Sequence, residues 1–190
     1  TGLVLASLVG AASAHDFKMC NGATDKVGIQ SVTLNPEPAQ AGKDLTITIK
    51  AKPTETITEG NINFSAKAFG VEIASLDFDL CKTTGVSCPI QAGTEVTASL
   101  TYPIPKEAPA GIKTEAEIKI TSKDDQKSCI DMDVKLSKPV LLGMTHGAAE
   151  KQLQFLFSKF VKQHNKEYET EEFFSRYNIF RKNWENIRAH

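Results

Sequence analysis

Between Val27 and Leu136 the apolar residues fall on every second position, in one segment after another. Leu45, Ile47 and Ile49 alternate with Thr46, Thr48 and Lys50; Ile62, Phe64, Ala66 and Ala68 alternate with Asn63, Ser65 and Lys67. The same period of two runs through Leu76, Phe78 and Leu80, through Val96, Ala98, Leu100 and Tyr102, through Ile112, Ala116, Ile118 and Ile120, and through Ile130, Met132, Val134 and Leu136. A strand points successive side chains to opposite faces, so this pattern describes strands with one dry and one wet face. Turn residues interrupt it at Asn35-Pro36-Glu37-Pro38, Ala41-Gly42, Ala92-Gly93, Pro103 to Pro109 and Lys123-Asp124-Asp125. About seven such strands can bury their dry faces only against one another. The expected fold is all-β, an immunoglobulin-like sandwich of two antiparallel sheets.

After Pro139 the period changes. Leu153, Leu156, Phe157, Phe160 and Val161 recur at three and four, the spacing of one helical stripe. Thr170 followed by Glu171 and Glu172 reads as an N-cap and an acidic first turn. Phe173, Tyr177, Phe180, Trp184 and Ile187 continue at four and three. Residues 151–190 therefore read as a helical hairpin with a polar turn at 165–169, its second stripe packing on Leu156, Phe157 and Phe160. Residues 15–138 read as the sandwich and 139–150 as the linker.

Acidic and basic residues are interspersed and nearly balanced, 23 against 22. No basic face of the kind that binds a phosphate backbone emerges, which argues against a nucleic-acid partner. Residues 1–14, TGLVLASLVGAASA, are apolar and uncharged and end in an A-x-A pattern. They read as a secretory signal peptide clipped at its start, with His15 as the mature N-terminus. A bilayer span needs about 20 apolar residues. In a secreted chain the four cysteines, Cys20, Cys81, Cys88 and Cys129, imply disulfides. Three pairings are possible; the short Cys81–Cys88 spacing suits a local ring, which leaves Cys20 and Cys129 to bracket the sandwich. Without a C-x2-C pair or a neighbouring histidine cluster, no metal site is expected, and no cofactor either. Asn63-Phe64-Ser65 is a glycosylation sequon on the polar phase of its strand.

Along the first part come, in order, Cys20, the stretch Val27 to Pro36, Leu80-Cys81, the run Cys88-Pro89-Ile90-Gln91-Ala92-Gly93, Tyr102-Pro103-Ile104-Pro105 and Cys129. This order of motifs resembles the ML lipid-recognition family, which includes the Niemann–Pick type C cholesterol carrier and phosphatidylglycerol/phosphatidylinositol transfer proteins. The resemblance implies a sterol or phospholipid held between splayed sheets, with transient contact to a membrane surface. Inward candidates are Ile62, Phe64, Leu76, Phe78, Val96, Leu100, Tyr102, Pro103, Ile118, Ile120, Met132 and Val134, with Phe64, Tyr102 and Pro103 foremost. Alternation shows which way a side chain faces, not whether a cavity lies there, so each is equally a candidate for ordinary core.

Glu172, Arg176, Ile179, Phe180, Asn183 and Ile187 form the pattern E-x3-R-x2-I-F-x2-N-x3-I, preceded by Phe157-x2-Phe160 and Lys166-Glu167-Tyr168. This resembles the ERFNIN helix of papain-like cysteine peptidase propeptides, the cathepsin propeptide inhibitor domain. The next member of the pattern is expected one position past His190. The resemblance implies an incomplete propeptide and a papain-like peptidase partner further along the intact product, in the secretory pathway, lysosome or vacuole. Within these residues no cysteine nucleophile is paired with a histidine, so the chain itself is not expected to be an enzyme. Two other readings stay open. The sandwich is a docking arm of a peptidase precursor, or it binds protein or glycan.

Overall fold

The computed structural model describes residues 14–137, apart from 21, 110 and 124, and residues 147–188. The expected leader (save Ala14) and most of the expected linker lie outside the described residues. Eight strands precede two helices: β1 Phe17–Met19, β2 Ile29–Asn35, β3 Asp44–Ala51, β4 Asn61–Ala68, β5 Val71–Asp79, β6 Val96–Pro103, β7 Lys113–Ser122, β8 Asp125–Lys135, α1 Gly147–Gln163 and α2 Thr170–Arg188.

The strands form two antiparallel sheets, one of five strands in the order β1-β8-β7-β4-β5 and one of three in the order β2-β3-β6. The dry faces meet, and Val32, Ile47, Ile62, Ile118 and Ile130 are fully buried between them. Both disulfides take the expected pairing, Cys20–Cys129 and Cys81–Cys88. The first ties the segment after β1 to β8; the second closes the loop after β5. The strand that periodicity missed is β1, whose three residues are too few to show a period.

Two local irregularities shape the β4–β5 hairpin. In its ladder Ala66 pairs with Ala74 but Lys67 pairs with Glu72, so Ile73 is the extra residue of a β-bulge. The sequence shows the slip as a phase change, with apolar residues at 71 and 73 and then at 76 and 78. The turn joining these strands is two residues long, and Phe69 and Gly70 both have positive φ, 55° and 72°. That is the twist a tight hairpin needs. Glycine adopts it freely, whereas a bulky phenylalanine does so only when its surroundings hold it. Here the Phe69 ring packs against Tyr177 and Phe173 of α2, with centroids 4.9 and 5.9 Å apart.

The helices cross around Phe157 of α1, whose ring lies 5.3 Å from Phe173, 5.3 Å from Tyr177 and 5.5 Å from Phe180 of α2. The expected Glu172–Arg176 pair forms, at 3.1 Å. Two expectations are corrected. Ile187 is 73% exposed and does not pack on α1, and Phe160 is itself exposed. The reason is geometric: the Tyr177 hydroxyl already reaches Glu150 in the first turn of α1, so the end of α2 beyond Phe180 runs past the helix that would cover it. Nor is Thr170 the N-cap. The first intrahelical bond, from the Phe173 amide, is accepted by the Glu169 carbonyl, and the Thr170 hydroxyl donates instead to the Ile73 carbonyl of β5.

Candidate functional site between the sheets

The inward side chains alternate between large and small. Phe64 is followed along β4 by Ala66, and Ile118 on β7 is preceded by Ala116 and Thr114. Where small residues from several strands coincide, the sheets cannot fill the space between them. The result is a cavity of about 30 Å³ at the end of the sandwich where β3 begins and β6 ends. Its wall is made by Leu45, Phe64, Ala66, Ile73, Tyr102, Ile104, Pro105, Ala108, Thr114, Ala116, Val134, Leu136 and, from α2, Phe174. A second cavity of about 20 Å³ lies toward the other end, among Ile49, Ile62, Leu80, Val96, Ala98, Ile120 and their neighbours.

Among the described residues, neither wall carries a charged side chain. The polar atoms of the first are the hydroxyls of Tyr102 and Thr114. Thr114 donates to the Val134 carbonyl at 3.1 Å. Burial pushes the Tyr102 phenol above its ordinary pKa, with a hydrogen bond to Thr170 of α2 partly opposing the shift. Such a surface removes apolar matter from water and has few fixed donors with which to read a headgroup. At about 30 Å³ the first cavity has room for about two water molecules, while pockets for small molecules run to roughly 300 Å³ and more. A lipid tail enters only if the walls move apart.

The expected contact residues divide by position. Phe64, Tyr102 and Val134 wall the first cavity; Ile62, Val96 and Ile120 wall the second. Leu100, Ile118 and Met132 are buried in the core and line neither. Phe78 is half-buried opposite Ile62. Leu76 pairs with Phe64 and so shares its face, but β5 is an edge strand and Leu76 is 37% exposed. Pro103 is exposed at the end of β6, opposite Asp44; the residues that turn inward there are Ile104 and Pro105. Ile73 and Phe174 were missed. The phase slip in β5 could have revealed Ile73, and Phe174 stands beside Phe173, off the helical stripe.

The remaining expected sites lie elsewhere. Asn63 is on the outer face of the larger sheet, half-buried, and its amide donates to Asp77 at 3.0 Å. Among the described residues, one cluster has metal-ligand spacing, Cys20, Glu117 and Cys129, and its sulfurs are joined in a disulfide, leaving no thiolate to bind an ion. No described helix is long and apolar enough to cross a membrane.

Comparison with known proteins agrees with this architecture. Residues 157–190 match the cathepsin propeptide inhibitor domain (I29). The phosphatidylglycerol/phosphatidylinositol transfer protein of Cryptococcus neoformans is 30% identical over 125 residues, covering 63% of this chain and 69% of that protein. The protein of the same name in Neurospora crassa is 30% identical over 134 residues, covering 66% and 75%. Among solved structures, a Niemann-Pick type C2 protein from the Japanese carpenter ant shares the fold, with a TM-score of 0.50, 17% identity and coverage of 64% of this chain and 99% of that one. The ML domain model matches residues 14–136, most of the described sandwich, and by that match the chain belongs to the ML domain family.

Proposed function

We propose that the sandwich carries a lipid, with an acyl chain or a sterol ring system between the sheets and any headgroup at the seam between β5 and β6. The observation that supports this most directly is the uncharged inter-sheet cavity walled by Phe64, Ala66, Ile73 and Tyr102. The relatives named as phosphatidylglycerol/phosphatidylinositol transfer proteins favour a glycerophospholipid over a sterol. Binding is physical, not covalent. Each methylene taken from water contributes roughly 0.8 kcal/mol, so a tail of moderate length offsets the cost of parting well-packed walls. The two disulfides fit a protein of the secretory pathway, lysosome or vacuole. Delivery would involve transient contact with a membrane surface.

A second reading concerns the hairpin and rests on the propeptide match at 157–190 and on the Glu172–Arg176 pair. In this reading the hairpin restrains a papain-like peptidase belonging to the intact product.

Native mass spectrometry of the full chain from a secretory host, followed by organic extraction, tests the carrier reading. One phospholipid or sterol per chain is the expected result. A chain that is empty and stays empty after exposure to phosphatidylglycerol and sterol vesicles overturns it.

A further inference from the structure

We propose that α2 seals the entrance of the inter-sheet cavity with Phe174, so that lipid occupancy and docking of the hairpin exclude each other. The inference rests on the carrier reading and adds a control to it.

β5 and β6 are edge strands of their respective sheets, so no strand joins the sheets along the seam between them. The first turns of α2 lie across this seam. Thr170 donates its hydroxyl to the Ile73 carbonyl on β5, and its side chain stands close enough to the Tyr102 phenol on β6 to influence its titration. One turn on, Phe174 is 2% exposed and forms part of the cavity wall with Ile73 and Tyr102. Another turn on, Asn178 donates to the Glu107 carbonyl at 3.0 Å, in the segment after β6. Residues four apart share one helical face, so 170, 174 and 178 form a single row aimed at the sandwich. Of the propeptide-like positions, Glu172, Arg176, Ile179, Asn183 and Ile187 are exposed.

The bulge at Ile73 is part of the same device. It turns an additional apolar side chain inward at the point where Phe174 enters. With the ring in place only about 30 Å³ remains, so a lipid tail needs the volume that Phe174 occupies. Two occupants competing for one space are linked reciprocally: docking of the helix weakens lipid binding by the factor by which lipid weakens docking. A loaded sandwich therefore presents a released hairpin, and an empty one holds it.

The test uses the full chain with Phe174→Ala and, separately, Asn178→Ala, which removes a contact outside the cavity and leaves the core untouched. Uptake of pyrene-labelled phosphatidylglycerol from vesicles gives affinity, and hydrogen exchange of the α2 amides with and without that lipid gives docking. The expected result is tighter uptake, about tenfold, for Phe174→Ala and a smaller gain for Asn178→Ala, with faster α2 exchange in lipid-loaded wild type. Equal uptake by all three chains, or α2 amides equally protected when lipid is bound, overturns the seal and leaves the carrier reading standing. Failure of every chain to take up lipid overturns both. If Phe174→Ala does not fold, Asn178→Ala and the wild-type exchange comparison decide the matter.

Discussion

Phe64 on β4 and Tyr102 on β6 belong to different sheets, yet their rings meet across the sandwich with centroids 5.3 Å apart and planes tilted by 42°. This pair holds the two walls of the first cavity together. Phe64→Ala removes one ring from a site that is already short of atoms, and such truncations cost about 3–5 kcal/mol. Tyr102→Phe keeps the ring and should cost far less. Urea denaturation of the two variants, compared at equal m-value, checks the contrast.

The disulfides should differ in what they contribute. Cys20–Cys129 closes a loop with a sequence separation of 109, and Cys81–Cys88 one of 7. By loop entropy, removing the first as a paired Cys→Ser change costs about 4–5 kcal/mol and removing the second about 2–3 kcal/mol. Thermal unfolding of the two double variants should rank them in that order, and the reverse order would show that strain or residual structure outweighs loop length.

Tyr177 makes the hairpin alkali-sensitive. Burial, reinforced by a hydrogen bond to Glu150, pushes its phenol far above the ordinary value. The folded state thus keeps a proton that the unfolded chain releases near pH 10. The stability this gives is complete below that pH and is lost as pH rises toward the folded pKa. Tyr177→Phe should flatten the alkaline limb of the stability profile, measured by guanidinium unfolding between pH 8 and 11.

Lys127 gathers two carboxylates, Glu55 at 2.6 Å and Asp125 at 2.9 Å. Its hydrogen bonds are the main reason both carboxyls titrate below their usual range. Depressed carboxylates stabilise the fold above their unfolded pKa and cease to do so as pH falls through the folded values. In Lys127→Met both carboxyls should titrate at higher pH, which side-chain carboxyl NMR shifts read directly.

Gly28 has φ of +63°, and a Cβ there would come within 2.3 Å of the Lys52 carbonyl oxygen. That oxygen belongs to backbone and cannot swing aside. Gly28→Ala should cost about 2 kcal/mol or more from left-handed strain and the clash together. A change under 0.5 kcal/mol in urea unfolding (roughly the scatter for surface substitutions) would mean the chain re-routes locally.

Periodicity revealed most of the sandwich because each long strand has one wet face. β7, with Ala116, Ile118 and Ile120 buried and Lys113 and Glu115 exposed, is the clearest instance. The site was less legible. Alternation placed Phe64, Tyr102 and Val134 inward but could not separate them from Leu100 and Ile118, since the cavity depends on where small residues of different strands coincide. Leu76 obeyed the alternation and still met solvent, because edge position is a property of sheet order. Ile187 fits a helical stripe whose covering surface α1 does not supply. Phe173 and Phe174, adjacent and about 100° apart on a helix, cannot face one partner. That adjacency was the available sign that α2 touches a second surface.

Every sheet residue around the first cavity precedes residue 137, while the side chain that completes its wall is Phe174. A chain made from its N-terminus therefore assembles the container before its closure emerges. For as long as synthesis takes to travel from Leu136 to Asn178, the nascent sandwich stands with the seam uncovered. On the carrier reading, an apolar molecule at hand in that interval meets an unobstructed cavity, so the place of folding, as much as the shape of the finished protein, sets what is first taken up.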